Sequence, residues 1–419
     1  MTARLLSLNR RTFASLKHRN YRLFFSGQVV SVTGTWMQRV AQSWLVLQLT
    51  HSPVAVGILA LAQFLPFSTF GLFAGVVVDR LDARRLVITT QATAMALAGI
   101  LAGLALSGVV EAWHVYVLGF LAGTVQVLDA PARQALTYRM VGPAELPNAI
   151  ALNSGLFNGA RIFGPAIGGV LIAAVGPGIC FASNSGSFLA VLAGLFLMRQ
   201  EEFSPLQQFE RPTILRGIGE GFRYVVSSRR TLVVLLLVAV VSMFAVNNNV
   251  LLPVLAKRTL SSGAGTFGLL SAFFGAGALI GALTAAAIAR ARVKVVLLGA
   301  AGFGASQLLL APERSVAVVL ALLLLGGICF SLWSANSNTL LQLEAPDHLR
   351  GRVIGLFFYG FAGTGSVGGL FSGWLADMGG TELAYAVAGS VALAAAVAAA
   401  LALGARERLQ PRAFASSRS

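Results

Sequence analysis

Twelve stretches of roughly 20 apolar residues recur along this chain, and each is long enough to cross about 30 Å of hydrocarbon. They fall near 21–48, 54–78, 86–107, 113–131, 148–174, 179–198, 231–256, 266–289, 294–311, 315–338, 353–376 and 382–404. Inside lipid a backbone must satisfy its own hydrogen bonds, so such runs are restricted to helices. Composition agrees: 11% of the 419 residues are charged, against about 25% in soluble domains. The sequence therefore predicts an all-α membrane protein of twelve transmembrane helices embedded in a lipid bilayer.

A formal net charge of +16 invites a nucleic-acid reading, but its placement excludes one. About 26 of the 31 Lys and Arg fall in the two terminal segments and the even-numbered loops, the pattern of the positive-inside rule. Both termini are thus expected to be cytoplasmic. Only Lys257, Arg258 and Arg314 fall in odd loops, while Arg39 and Arg161 lie inside spans. The first twenty residues lack an apolar core and a cleavage site, so no removable signal peptide is expected. Phe13, Leu16 and Tyr21 among basic residues read as an interfacial elbow. Cys180 and Cys329 lie in apolar spans and read as packing residues. The four histidines have no metal-ligand spacing, so neither a metal nor a cofactor is expected. No phosphate-binding loop is present, so ATP is not the expected energy source, and the residue inventory argues against an enzyme.

Six spans precede residue 199 and six follow residue 231, giving a predicted order of parts. A basic arm (1–20) leads to a first six-helix half (21–199). A cytoplasmic linker (200–230) joins it to a second half (231–405) and a tail (406–419). Within the linker, Ile214, Ile218, Phe222 and Val225 recur at helical spacing and predict an amphipathic helix on the inner surface. The halves echo each other: Gly164-Pro165-Ala-Ile-Gly168-Gly169 in span five matches Thr364-Gly365-Ser-Val-Gly368-Gly369 in span eleven. Two related six-helix halves predict a transporter whose substrate binds near the midplane between them.

Between spans two and three the chain reads Gly75-Val-Val-Val-Asp79-Arg80-Leu-Asp82-Ala83-Arg84-Arg85. Asp79 at the C-terminal end of a helix faces the negative pole of its dipole. That places it either against a partner in a moving gate or against Arg80 or Arg84 as a neutralised loop carboxylate. Arg39 and Arg161 are costly inside an apolar span and are expected to face a cavity or a partner. On span one, Gln38, Arg39 and Gln42 share a polar face. Asn247, Asn248 and Asn249 lie at similar depth in span seven, where they line the opposite wall of a central cavity or act as polar glue between helices. A cavity of this make-up suits an anionic or multiply hydrogen-bonding substrate. Asp129, the one acidic residue placed inside a span, either carries a proton or forms a simple i,i+4 pair with Arg133.

Over essentially its whole length the chain resembles a major facilitator superfamily protein. The resemblance rests on Asn20-Tyr21-Arg-Leu-Phe-Phe25-Ser-Gly27, Gly34-Thr-Trp36-Met-Gln38, Asp129-Ala-Pro131-Ala-Arg133-Gln134-Ala135 and Asn148-Ala-Ile-Ala-Leu-Asn153. These residues are similar to the branch that holds the enterobactin exporter and macrolide efflux proteins. The Asp79 hinge resembles the superfamily's loop 2–3 signature, with Asp82 and Ala83 in place of a glycine and a basic residue. Gly164, Pro165, Gly168 and Gly169 resemble the antiporter signature, with Ala160 at an upstream glycine position. The span-four Arg-x-x-x-Gly signature associated with proton transfer is absent. The resemblance implies that Asp79 docks on the N-terminus of span eleven in one state. It also implies a monomeric exporter of a small amphiphilic molecule, a siderophore or drug-like compound, by proton antiport. The alternatives are a proton-coupled uptake symporter and a transport-inactive sensor or assembly protein.

Overall fold

The computed structural model describes residues 13–204, 214–287, 291–346 and 349–407; the side chains of residues 72, 73, 75, 76, 79, 214–218 and 404–407 lie outside that description. Spans one to three are Arg19–Thr50, Pro53–Arg80 and Ala83–Leu106. One long helix, Ala112–Val175, carries spans four and five, and Pro177–Phe196 is span six. The linker helix Ile214–Ser227 leads into span seven, built from Arg229–Ala245, Asn248–Val254 and a π-helical turn at Leu255–Thr259. Spans eight to ten are Ala264–Ala287, Val293–Leu310 and Val316–Glu344. Span eleven begins as Arg350–Phe358, passes through a π-helical turn at Tyr359–Gly363 and enters the helix Gly365–Glu407, whose second part is span twelve. Twelve spans result, as the apolar runs predict.

Two corners are tighter than the sequence pattern implies. Residues 132–147 are expected to form a loop, yet the chain stays helical to a single corner at Gly142, with φ 69°. Only glycine adopts that conformation without strain, and Pro143 then starts span five with its φ already set. The second corner, at Gly380 with φ 71°, joins spans eleven and twelve in the same manner. Arg133 and Arg139 consequently ride on helix, not on a loop.

Span seven departs from the expected continuous helix 231–256. It breaks at Val246–Asn247, where Val246 has φ −93° and ψ 52°. Exposed backbone groups at membrane depth need partners. Gln307 Nε2 of span nine donates to the Ala245 carbonyl at 2.9 Å, and Asn247 Nδ2 donates to the Met243 carbonyl at 2.8 Å. The π turn in span eleven is served similarly, by Ser68 Oγ of span two donating to the Gly363 carbonyl at 2.8 Å.

The halves meet along two glycine seams. Span five crosses span eight at Gly169 and Gly268, where a Cβ on Gly169 would stand 2.7 Å from the Gly268 Cα. Span two crosses span eleven at Gly57, where a Cβ would lie 2.8 Å from the Gly369 carbonyl, and at Gly373, 2.6 Å from the Pro53 carbonyl. The internal repeat has a physical content here. Gly168 packs on Met37 of span one and Gly368 on Met243 of span seven, each inside its own half. Their neighbours Gly169 and Gly369 both face the other half.

Further contacts close the same end of the molecule, opposite the basic one. Trp44 of span one stacks on Phe267 of span eight at 6.0 Å. Lys257 Nζ donates to the Leu47 carbonyl at 3.2 Å and Arg258 Nη2 to the His51 carbonyl. These carbonyls end span one, whose dipole is negative there, so two cations from span seven cap it. At the basic end the described ion pairs stay within a half: Lys17–Glu145 and Arg139–Asp82 in the first, Arg230–Glu344 and Arg352–Glu220 in the second. Glu220 belongs to the linker helix, which also sends Tyr224 Oη to the Glu344 carbonyl at 2.7 Å. The linker helix therefore rides on the second half. A cleft of about 690 Å³ opens at the basic end between Asn153, Ser154 and Phe157 of span five and Phe358 of span eleven.

Gly169→Leu is expected to destabilise the purified protein by about 1–3 kcal/mol, the usual range for overpacking. Gly186→Ala, where an added Cβ meets nothing within 4 Å, should be neutral within about 0.5 kcal/mol. Thermal unfolding in detergent checks both, and equal melting temperatures for the two variants would contradict a seam dependent on glycine.

Candidate substrate site

A cavity of about 260 Å³ lies at the midplane between the halves. Its first wall is span one, through Trp36 and Arg39, with span five contributing Arg161 and Pro165. The opposite wall is the break in span seven, with Asn247, Asn248 and Asn249, together with Phe274, Phe330 and Phe361. Two of the three unusual backbone features thus border the cavity: the broken turn of span seven directly, and the π turn of span eleven through Phe361 and Ala362. Such turns sit where backbone geometry is needed for something other than packing.

Arg161 stands midway along its helix. Its guanidinium lies 5.0 Å from the Phe330 ring, 5.4 Å from Phe274 and 5.7 Å from Trp36. Arg39 lies 5.0 Å from the same Trp36 ring and donates through Nη2 to Gln126 Oε1 at 2.9 Å. Three aromatic faces can hold a cation by their quadrupoles. They leave its edge N–H groups without acceptors, and among the described residues no carboxylate pairs with either arginine.

Gln38 and Gln42 turn elsewhere. They line an adjoining chamber of about 280 Å³, walled by the first half and Ala362 of span eleven, with Gln63, Gln91, Gln126 and Asn184. Asn184 Nδ2 donates to Gln38 Oε1 at 2.7 Å, and Gln63 Nε2 to Gln42 Oε1 at 2.9 Å. Arg39, Phe64 and Ala362 border both spaces, and Arg39 is the charged one of the three. Gln63, Gln91, Gln126 and Asn184 escaped the sequence reading. The signal was present, since an amide inside an apolar span needs a partner.

Asp129 closes the chamber toward the basic end, 2% exposed. Arg133 pairs with it, Thr90 Oγ1 donates to it at 2.6 Å and Gln91 Nε2 at 2.9 Å. Arg133 also donates to Gln28. Pro131 does not disturb the i,i+4 geometry, because the helix continues through it. At rest Asp129 is a fully partnered carboxylate.

The hinge residues have separate roles. Asp79 ends span two, but its side chain and Gly75 lie outside the described residues. Arg80 is exposed. Arg84 caps span six, donating to the Leu195 carbonyl through Nε at 3.1 Å and Nη2 at 2.7 Å. Arg85 gives its amide to Asp82, the N-cap of span three, at 2.9 Å. Partial burial pushes the Asp82 carboxyl up, but the Arg85 amide and the Arg139 guanidinium outweigh it and hold it below the usual carboxylate range. The aspartate at this position thus has a structural cause: it caps a helix and ties it to span four. Gly164 of the antiporter-like run lies against Trp36, where a Cβ would come within 2.6 Å of the indole's own Cβ. That close approach sets the ring on which both arginines rest.

Asp129→Asn and Arg133→Gln are each expected to cost about 2–3 kcal/mol, somewhat less than a fully buried pair because Arg133 stays 22% exposed. The double variant should cost clearly less than the sum of the two. A double-mutant cycle on thermal stability checks this, and simple additivity would deny the coupling.

The family model for transmembrane secretion effectors matches residues 10–416. The chain is 30% identical to the multidrug efflux pump Tap of Mycolicibacterium fortuitum over 363 residues, covering 84% of this chain and 88% of that one. It is 25% identical to the staphyloferrin A transporter of Staphylococcus aureus, with 87% and 92% covered. With macrolide efflux protein A of Streptococcus pyogenes the identity is 22%, over 90% and 95%. Among solved structures, the nucleoside transporter NupG superposes with a TM-score of 0.70 at 14% identity, over 93% and 99% of the two chains. A bacterial ferroportin homologue in an inward-facing state gives 0.66 at 16% identity, over 92% and 98%. These likenesses establish the fold, and the family match establishes a multi-pass membrane transporter: the chain belongs to the transmembrane secretion effector family of the major facilitator superfamily.

Proposed function

We propose that this protein exports a small amphiphilic molecule by alternating access, in exchange for protons. The reading is carried by the midplane cavity between the two halves, which the glycine seams close at one end, while a separate cleft opens at the basic end. The basic end is the cytoplasmic one on the positive-inside rule. Relatives named for multidrug efflux, staphyloferrin A transport and macrolide efflux support a small-molecule substrate of the siderophore or drug-like kind.

In this scheme the substrate enters from the cytoplasmic cleft and settles beside Trp36, Arg39 and Arg161. Release on the far side requires the seams to part and Lys257 and Arg258 to leave the end of span one. Asp79 belongs to the opposite gate, which forms only when the cytoplasmic end closes. A proton delivered to Asp129 Oδ2 would displace Arg133 and leave Oδ1 to accept from Thr90 and Gln91. Coupling therefore passes through Arg133, which also holds Gln28 of span one. Switching of this kind needs a two-state element, and the two halves supply it.

Energised everted vesicles with a fluorescent ΔpH reporter test the exchange. Adding a transported siderophore or macrolide should release protons from vesicles that hold this protein and not from empty-vector vesicles. A full panel without response from folded protein would contradict proton antiport.

Alternating access has its own test in a background lacking Cys180 and Cys329. A cysteine at the cavity residue Ser271 should react with an impermeant maleimide from the basic side. Lys257→Ala combined with Arg258→Ala should raise its labelling from the far side about tenfold, as a shift of roughly 1.4 kcal/mol in a two-state equilibrium would. Unchanged far-side labelling would remove the two cations from the gate.

A further inference from the structure

We propose that the midplane cavity selects amphiphiles bearing an anionic group, a carboxylate or a similar planar oxyanion, which bridges Arg39 and Arg161 while its apolar body lies against Phe274 and Phe330. This rests on reading the cavity as the substrate site and adds the chemical class that occupies it.

The argument begins with charge. An arginine at bilayer depth is costly, and it persists when a partner or function compensates. This chain places two beside one indole ring, at 5.0 and 5.7 Å, where like charges repel. Asp129 shows what structural compensation looks like in the same protein: one carboxylate, one arginine and two further donors. The cavity pair has nothing comparable. Among the described residues Arg161 touches only aromatic faces, and the single hydrogen bond of Arg39 goes to a neutral amide.

Geometry then restricts the occupant. The three rings around the Arg161 guanidinium offer its N–H groups no oxygen acceptor. Those N–H groups are the part suited to paired N–H···O bonds with a carboxylate. A cationic substrate would add a third positive charge with no carboxylate to receive it. A neutral one could accept from the guanidiniums through a carbonyl or hydroxyl oxygen but would leave both positive charges uncompensated in a low-dielectric site. The rings beside Arg161 supply an apolar surface for the rest of the molecule, which makes the occupant an amphiphile and not a small inorganic anion. The asparagines of span seven lie across the cavity and can orient its other polar groups.

The test uses purified full-length protein in lipid nanodiscs and two dyes on one xanthene scaffold, anionic fluorescein and cationic rhodamine 123, read by fluorescence anisotropy. Wild type should bind fluorescein at least about tenfold more tightly than rhodamine 123, as charge-assisted hydrogen bonds allow. Arg161→Gln and Arg39→Gln should each lower fluorescein affinity about tenfold while leaving rhodamine 123 affinity equal or improved. Arg161→Lys should retain part of the preference, since it keeps the charge and loses the flat edge. Equal binding of the two dyes by wild type, which needs no variant, would overturn the inference. So would an undiminished preference in Arg161→Gln that elutes and melts like wild type.

Flux of both dyes from proteoliposomes separates this inference from the broader reading. Transport of rhodamine 123 with no anion preference would overturn anion selection and leave the exporter standing. Anion-selective binding without flux of either dye would support the site chemistry and count against export.

Discussion

Inside hydrocarbon no hydrophobic force draws two helices together, since lipid tails are as apolar as leucine. The halves of this chain therefore depend on backbones approaching closely at a few glycines. Gly169 against Gly268 and Gly57 against Gly369 bring paired helices to distances that any side chain would prevent. This joint, with the Trp44–Phe267 stack and the Lys257 and Arg258 caps, holds one end of the molecule shut and leaves a cavity at midplane and a cleft at the other end.

The polar residues divide according to whether that cavity needs them. In the first half, amides answer amides and Asp129 meets Arg133, Thr90 and Gln91, so the chamber is nearly self-contained. At the midplane the balance is left incomplete: aromatic rings hold two guanidiniums without neutralising them. Arg39 joins the two regions through Gln126. A change at the substrate site thus has a short hydrogen-bonded route toward span four, the helix that carries Asp129 and Arg133.

Much of the architecture was legible because membrane crossing imposes a coarse and strong pattern. The apolar runs give twelve spans, the linker helix follows from Ile214, Ile218, Phe222 and Val225, and the glycine echo marks the repeat. What stayed hidden depends on three-dimensional partners. Nothing local distinguishes Gln38, which turns toward Asn184, from Arg39 beside it, which turns toward the cavity. The break at Val246–Asn247 is hidden as well, because its freed carbonyl is answered by Gln307, sixty-two residues away in sequence. The resemblance motifs follow the same rule. Tyr21 and Asn148 read as separate signatures, yet Tyr21 Oη reaches the Ala149 carbonyl at 3.0 Å, and Asn148 takes the Ser15 hydroxyl at 2.7 Å. Together they bind the start of span one to the start of span five.

Departures from the sequence rules are the most informative places in this chain. Lys257 and Arg258 break the positive-inside pattern, and both cap the far end of span one. Asp82 breaks the hinge signature, and it caps span three. Arg39 and Arg161 break the apolar pattern, and they meet over Trp36 at the centre of the cavity. A sequence under many consistent constraints carries a residue against them only where something offsets its cost. For Lys257, Arg258 and Asp82 the offset is a helix end within the chain. For the two arginines the protein supplies only part of it, which leaves the remainder to whatever enters the cavity from the basic end.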